Sequence, residues 1–242
     1  MEAAFAACEA TVRKYDPDRY FSALFAPAET RPLLFALYAF NHELARVGEV
    51  VREPMMGEIR LQWWRETVEG AREGKPRPHD VARALAGAFA RADFPAALFD
   101  RMMDARAFDI SPETFADAAA RDAYLDATSG NLMRLAARLL GTGDRHDALA
   151  KEAGIAYGVA GLIRSQAFHR SRDKRFLADA DAAAEEARQR MANARALPKP
   201  GRALPAFLPA ALVPLYLRNS AKDAPLFRKQ IAMVGAAMRG HV

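Results

Sequence analysis

Several side chains could do chemistry, and their spacing decides which of them can act together. The chain has five histidines: His42, His79, His146, His169 and His241. No two of them stand three or four residues apart, the spacing that places two ligands on one face of a metal-binding helix. We therefore expect surface or loop histidines. Gly141-Thr142-Gly143 is too short for a phosphate-binding loop and predicts the end of a helix.

Two adjacent indoles, Trp63 and Trp64, are followed by Arg65. Neighbouring residues of a helix point in different directions, so both indoles cannot enter the same core. We expect one to be buried and the other to line a cavity or an interface. Aromatic residues beside arginine can also stack on nucleic-acid bases, but no basic stripe accompanies this pair, so we expect no nucleic-acid partner.

The composition indicates a folded, helical chain with a mild basic excess. The 242 residues are 51% hydrophobic and carry a net charge of +5, and the helix formers alanine and arginine are abundant. This charge suits an anionic ligand, a membrane surface or nucleic acid, or simply solubility. The single cysteine, Cys8, suits a reducing compartment, and residues 1–9 do not resemble a signal peptide, so we expect a cytoplasmic protein.

Helical periodicity dominates the sequence. Apolar residues after Pro32 recur in alternating steps of four and three, and they form the stripe Leu33, Leu37, Phe40, Leu44, Val47 and Val51. A helix over 56–68 is predicted to turn Ile59, Trp63 and Val68 inward. Further helices are predicted over 81–91, after Asp93-Phe94-Pro95, after Ser111-Pro112-Glu113, and over 119–140, 147–168, 178–196, 206–219 and 224–239. No strand pattern and no domain boundary are found within residues 1–242, so the predicted fold class is all-α with a single domain.

Several short segments resemble the squalene/phytoene synthase family, in the same order and at similar spacings. They are Asp18-Arg19-Tyr20-Phe21, Pro27, Arg31-Pro32, Leu37-Tyr38-Ala39-Phe40, Trp63-Trp64-Arg65, Tyr124, Ser129-Gly130, Ala156 to Arg164 and Arg175-Phe176-Leu177. The resemblance implies a helical bundle around a central cavity, the isoprenoid synthase fold. It also implies two aspartate-rich helices that face each other and hold magnesium ions, which bind the diphosphates of prenyl substrates.

The sequence departs from this family at the acidic positions. By resemblance, the five aspartates fall at Ala45, Arg46, Glu49, Ser165 and His169, so only one position keeps a carboxylate. Glu43 lies six residues before Glu49 and off its helix face, so we do not expect the two to share a metal ion. Losing one electrostatic stabiliser typically costs about 100- to 1,000-fold in rate. We therefore predict no metal site and no cofactor, with Mg²⁺ needed only if the protein is an enzyme.

The remaining motif positions are mixed. The amide side chains of the family fall at Gly158 and Gly161, which either widen the cavity or let helices pack closely. By the same resemblance, Arg164 keeps an arginine. The candidate cavity or ligand residues are Tyr38, His42, Glu43, Glu49, Trp64 and Arg164.

Three functions suit this pattern. The departures resemble those of degenerate family members, the mitochondrial complex I assembly factors, whose second motif also continues into a basic segment. Here that segment is Arg164, His169-Arg170-Ser171-Arg172 and Lys174-Arg175. This resemblance implies a non-catalytic assembly factor with a respiratory-complex subunit as its partner. The alternatives are a prenyl-diphosphate-consuming synthase with atypical diphosphate binding, and a protein that binds an isoprenoid, another lipid or a quinone.

The longest apolar stretch runs from Pro205 to Leu217 and is shorter than the ~20 residues of a membrane-spanning helix. Because Arg218 and Lys222 follow it, the stretch could bind an anionic membrane surface, which would make the protein peripheral on the inner membrane. The same stretch also suits a core helix that is kinked by its prolines.

Overall fold

The computed structural model describes residues 1–51, 53–111, 113–171, 174, 176–218 and 224–242. Its α-helices, numbered in chain order, are α1 (Glu2–Tyr15), α2 (Pro17–Ala23), α3 (Arg31–Val50), α4 (Pro54–Arg72), α5 (Asp80–Arg91), α6 (Ala96–Ile110), α7 (Ala118–Leu125), α8 (Asn131–Leu139), α9 (Asp147–Arg164), α10 (Gln166–Arg170), α11 (Ala180–Ala196), α12 (Leu204–Phe207), α13 (Val213–Arg218) and α14 (Leu226–Arg239). A π-helical turn covers Asp126–Gly130, and 3₁₀ turns cover Gly201–Ala203 and Leu208–Leu212. These ranges contain no strand, so the predicted all-α class is confirmed.

Helix α3 lies at the centre of the bundle. Residues 34–40 are buried on every side, because α1, α5, α6 and α8 pack around this half of the helix. The predicted stripe is confirmed, with Leu37, Phe40, Leu44 and Val47 fully buried and Leu33 and Val51 partly buried. After Leu44, one face of α3 is left open, and it lines the cavity described below.

The predicted inward face of α4 is wrong by about one residue. Ile59 is 56% exposed and Trp63 is only partly buried, whereas Val68 is buried as predicted. The buried residues of α4 are Gly57, Leu61, Trp64, Thr67, Val68 and Ala71. Gly57 explains this phase, because a Cβ there would lie 2.6 Å from Ile110 Cδ1 on α6, so only glycine allows the two helices to approach so closely.

The predicted helix over 119–140 is present, but it contains the π-helical turn between α7 and α8. The flanking residues keep right-handed helical backbone angles, so the chain does not leave the helix there. Gly130 in the turn meets Gly154 of α9, where an added Cβ would lie 2.5 Å from the Gly130 Cα. The pair of glycines therefore lets α9 pack directly on the backbone of the turn.

Two predicted helix boundaries are wrong, the start at Ser111 and the end at residue 168. Pro112 lies outside the described residues, residues 113–117 are not helical, and α7 begins after Asp117, whose carboxylate accepts from the Ala120 amide at 2.8 Å. Helix α9 ends at Arg164 because the Ser165 hydroxyl donates to the Gly161 carbonyl at 2.8 Å and the chain turns there. A separate short helix, α10, follows.

Of the two interpretations of Pro205 to Leu217, a membrane contact or a core helix, the structure agrees with the core. This stretch forms α12, a 3₁₀ turn and α13 within the core, and Phe207, Leu208, Leu212 and Val213 are each fully buried. Side chains that fill the core cannot also enter a bilayer. Lys222 lies outside the described residues. Within the part of the chain that is described, no helix is both long and apolar enough to cross a membrane.

Candidate functional site

A cavity of about 740 Å³ opens between the C-terminal half of α3, the end of α6 and the junction of α9 with α10. Its lining includes Ala45, Gly48, Glu49, Val50, Val51, Arg106, Asp109, Ile110, Tyr124, Leu162, Ser165, Phe168, His169, Lys174 and Phe176. A second cavity of about 770 Å³ shares four of these residues, namely Leu162, His169, Lys174 and Phe176. The two cavities therefore meet along one wall.

The structure brings together four of the five motif positions singled out in the sequence. Ala45 and Glu49 line the cavity from α3, one helical turn apart, and Ser165 and His169 line it from the α9–α10 junction. Arg46 lies outside the cavity on an exposed face of α3, where its Nη1 is 3.8 Å from Glu43 Oε1. The two degenerate motifs thus face one another across the cavity.

The side chains at these positions do not fit a magnesium ion. Ala45 offers no donor atom, and the Ser165 hydroxyl is hydrogen-bonded to the Gly161 carbonyl. The His169 ring meets the Phe176 ring edge-on, with centroids 4.5 Å apart. Magnesium requires several hard oxygen ligands, and Glu49 is the one carboxylate among the four. Across the described ranges, no three His, Cys, Asp or Glu side chains form a group that could hold a metal ion.

A hydrogen-bonded trio lines the α6 side of the cavity. Arg106 Nη1 donates to Asp109 Oδ2 and to the Tyr124 hydroxyl, both at 2.9 Å, and that hydroxyl donates to Asp109 Oδ1 at 2.7 Å. Burial alone would lower the pKa of Arg106, but Tyr124 and Asp109 raise it above its usual value. For Tyr124, burial raises the pKa of the hydroxyl. Both oxygens of the Asp109 carboxylate are therefore already hydrogen-bonded within the trio, and its charge is balanced by Arg106.

Lys174 brings a second cation into the same cavity. Its Nζ donates to the Asp109 carbonyl and lies 3.4 Å from the Phe108 carbonyl. Burial lowers the pKa of Lys174, although the nearby Asp109 opposes that shift. Its neighbours in the predicted basic segment, Arg172 and Arg175, lie outside the described residues. A lysine at this place repels a divalent metal ion rather than binding it.

The glycines of the second motif are a further obstacle to metal binding. A Cβ on Gly158 would lie 2.7 Å from Leu125 Cδ2, so an apolar side chain occupies the space that a larger residue at 158 would need. Gly154 packs on Gly130 in the same manner, whereas a Cβ on Gly161 would meet nothing within 4 Å. Gly154 and Gly158 therefore serve close helix packing.

Four of the remaining candidates lie outside the cavity lining. The Tyr38 hydroxyl is in the core, where burial raises its pKa to about 12. The His42 ring stacks on Tyr15, with centroids 4.6 Å apart, and burial lowers the pKa of His42. Glu43 is paired with Arg46, as described above. Trp64 is fully buried and meets Phe40 edge-on at 5.5 Å.

Arg164 belongs to a different, buried polar cluster that the sequence did not reveal. Its centre is Asp18, whose Oδ2 accepts from the Tyr157 hydroxyl at 3.0 Å and from the Tyr216 hydroxyl. Lys229 Nζ lies 3.3 Å from Asp18 Oδ1, and Arg164 Nη1 lies 3.9 Å from Oδ2. The cluster joins α2, α9, α13 and α14. Asp18 was visible in the sequence as part of a family landmark, but its partners come from three distant segments.

The helical bundle and the two motifs that face each other across its cavity indicate one class of protein, the squalene/phytoene synthase family. A profile of that family, described as squalene/phytoene synthase, matches residues 12–178, and the chain belongs to the family, as predicted. The phytoene synthase of Thermus thermophilus is 28% identical over 178 residues, which cover 73% of this chain and 60% of that enzyme. The solved structure of a dehydrosqualene synthase in complex with ligand superposes with a TM-score of 0.82 at 15% identity, covering 98% of this chain and 96% of the other.

Within the family, the chain is similar to NADH dehydrogenase (ubiquinone) complex I, assembly factor 6. The Homo sapiens protein is 33% identical over 171 residues, which cover 70% of this chain and 51% of the human protein. The chain thus spans about half the length of the assembly factors that it matches. The resemblance to degenerate members of the family is confirmed.

Proposed function

We propose that this protein is a non-catalytic member of the squalene/phytoene synthase family that assists the assembly of a respiratory complex. The observation that carries the proposal is a family cavity whose opposing motif positions hold an alanine, a serine and a histidine, with Lys174 and Arg106 beside them. The similarity to assembly factor 6 supports a role in the assembly of a respiratory complex. The partner would be a subunit of that complex, and the protein would work in the cytoplasm or against the inner membrane.

The charges in the cavity argue against prenyl transfer. Ionisation of a prenyl diphosphate requires concentrated positive charge that is held by acidic oxygens in a fixed geometry. Glu49 alone cannot hold the ions, because the nearest further carboxylate in the cavity wall, Asp109, is already bonded to Arg106 and Tyr124. Removing each electrostatic stabiliser typically costs about 100- to 1,000-fold in rate. Several such losses together leave no useful turnover.

An assay for catalysis tests the first half of the proposal. Purified protein, incubated with farnesyl or geranylgeranyl diphosphate and magnesium, should release no more pyrophosphate than the buffer alone. An active phytoene synthase serves as the positive control. Turnover that depends on magnesium and disappears in Glu49→Gln would show instead that the protein is a synthase with an unusual diphosphate site.

A genetic experiment tests the second half. Deleting the gene in the source organism should lower the amount of fully assembled respiratory complex I on native gels, and the unaltered gene should restore it. The double variant Glu43→Gln, Glu49→Gln should restore it as well, because the assembly role does not use these carboxylates to bind metal. Normal assembly in the deletion strain would contradict the role.

The size of the cavity supports a second candidate function, the binding of an isoprenoid or another lipid. Val51, Ile110, Leu162 and Phe168 contribute apolar side chains to the lining of the 740 Å³ cavity. A thermal-shift screen with farnesol, ubiquinone analogues and phospholipids tests this alternative. A stabilisation that is lost in Leu162→Lys, but not in a variant of an exposed residue such as Gln189→Lys, would favour ligand binding; no shift with any lipid would exclude it.

A further inference from the structure

The last helix of the chain turns its apolar side outward. Phe227, Ile231, Val234 and Met238 recur at steps of four, three and four along α14, so they form one stripe. Their side chains are 57%, 67%, 45% and 84% exposed. A surface helix normally places such a stripe against the core, and a contiguous exposed apolar patch usually marks a binding surface.

A buried ion pair explains this orientation. The residues of α14 that face the core are Lys229, Met233 and Ala236. Lys229 is 4% exposed, and its Nζ is 3.3 Å from Asp18 Oδ1. Rotating the helix to bury Ile231 would pull Lys229 away from Asp18 and break this buried ion pair. The apolar stripe is therefore held toward the outside by the body of the protein.

The stripe continues onto the neighbouring end of α2. Leu24 and Phe25 are 38% and 43% exposed, and together with Val234 they line a groove of about 430 Å³. We call Leu24, Phe25, Phe227, Ile231, Val234 and Met238 the docking face. It combines aromatic and aliphatic side chains from two elements, so it is an apolar patch rather than a single exposed residue.

The exposed charges on α14 are basic. This helix contains no acidic residue; Arg228 and Arg239 are exposed, whereas Lys229 is buried against Asp18. Glu29 is the exposed carboxylate that follows Phe25 most closely in the sequence. An apolar stripe with basic flanks is the pattern of a helix that lies in the interface of an anionic membrane.

We propose that the docking face binds the surface of an anionic lipid bilayer. Phe227, Ile231 and Met238 enter the boundary between headgroups and acyl chains, and Arg228 and Arg239 interact with the lipid phosphates. The exposed basic charge selects a lipid surface over a second copy of this chain, because two copies would bring Arg228 and Arg239 of each helix together with no acidic residue of α14 to meet them.

Co-sedimentation of the full chain with vesicles tests this proposal. The protein should bind vesicles of phosphatidylcholine mixed with phosphatidylglycerol, bind pure phosphatidylcholine much less, and dissociate as salt is added. Ile231→Ser should lower the partition about ten-fold, since the isoleucine no longer buries its side chain. Arg228→Gln should lower it about five-fold. The matched control is Ile59→Ser on α4, which removes a similarly exposed isoleucine away from the docking face and should bind as the unaltered protein does.

Circular dichroism should show that all variants keep the helical fold, since each altered side chain is exposed. Three outcomes would overturn the proposal: no binding to anionic vesicles, equal binding to neutral vesicles, or an equal loss in Ile59→Ser and Ile231→Ser. A dimer in light scattering that dissociates in Ile231→Ser, without vesicle binding, would assign the docking face to a second copy instead.

Discussion

The Asp18 carboxylate has an unusual concentration of partners for a single side chain. It accepts from two tyrosine hydroxyls and faces Lys229, which is itself 4% exposed. Asp18→Asn keeps the shape but removes the carboxylate that faces the buried Lys229, so it should lower the free energy of unfolding by about 3 kcal/mol or more. Chemical denaturation measures the change. Asp100→Asn, at an exposed position, is the control and should stay within about 0.5 kcal/mol.

The same cluster decides whether α14 is a stable part of the fold. If Asp18→Asn leaves the unfolding midpoint unchanged, the ion pair does not hold α14, and the orientation of the docking face needs another cause.

His42 gives the protein a pH dependence on the acid side. Burial lowers its pKa in the folded state, while the unfolded chain keeps the ordinary value of about 6.5. Between these two pKa values the unfolded state binds a proton that the folded state does not, so stability falls as the pH drops below about 6.5. His42→Phe keeps the stacking on Tyr15 and removes the titration. Thermal unfolding between neutral and mildly acidic pH should therefore show a weaker decline in this variant.

Burial lowers the pKa of His146 as well, so some decline of stability at acidic pH should remain in His42→Phe. Identical pH profiles for the variant and the unaltered protein would contradict the assignment to His42.

At the scale of elements, two of the three glycines of α9 have opposite surroundings. A Cβ on Gly154 would lie 2.5 Å from the Gly130 Cα in the π-helical turn, and neither backbone can give way easily. Gly154→Ala should therefore separate the two helices and lower the free energy of unfolding by about 1–3 kcal/mol. Gly161→Ala on the same helix is the matched control, because nothing lies within 4 Å of its new Cβ.

Alanine is the better helix former, so Gly161→Ala should be neutral or stabilising by up to about 1 kcal/mol. Urea titrations of the two variants measure both effects. Equal stabilities would mean that the close packing of α9 on the turn does not matter to the fold.

Glycine contacts also explain which elements were predicted well. The α3 stripe was predicted correctly because local periodicity alone defined it, whereas the inward face of α4 was misplaced because Gly57 packs against Ile110 of α6. A glycine has no hydrophobic signal in the sequence, so the phase of α4 depended on a contact with another helix. The break at Ser165 was missed for a similar reason, since a serine suits both a helix and its end.

At the scale of the whole molecule, the proposed role predicts indifference to divalent metals. Because Ala45, Ser165 and His169 offer no carboxylate to the cavity, the protein should bind no magnesium and should lose no metal ion to a chelator. The thermal unfolding midpoint should therefore be the same in EDTA and in millimolar magnesium, and calorimetry should detect no heat of magnesium binding. A midpoint that rises with magnesium concentration would indicate a site and reopen the enzymatic alternative.

The residues themselves determined the class of this protein and predicted that its metal ligands are lost. Helical periodicity, the order of the family landmarks, and the identities of Ala45, Ser165 and His169 are local properties that need no coordinates. For the same reason, the fold class and the family were predicted correctly.

Only the tertiary structure decided how the distant segments combine. It brought Arg106, Asp109 and Lys174 into the cavity wall, enclosed Pro205 to Leu217 in the core, and turned the apolar side of α14 outward. Asp18 and Tyr216 are 198 residues apart in the chain, yet they share a buried hydrogen bond. The physical reason is that the cost of burying a charge depends on the partners that surround it in space, and these are not neighbours in sequence.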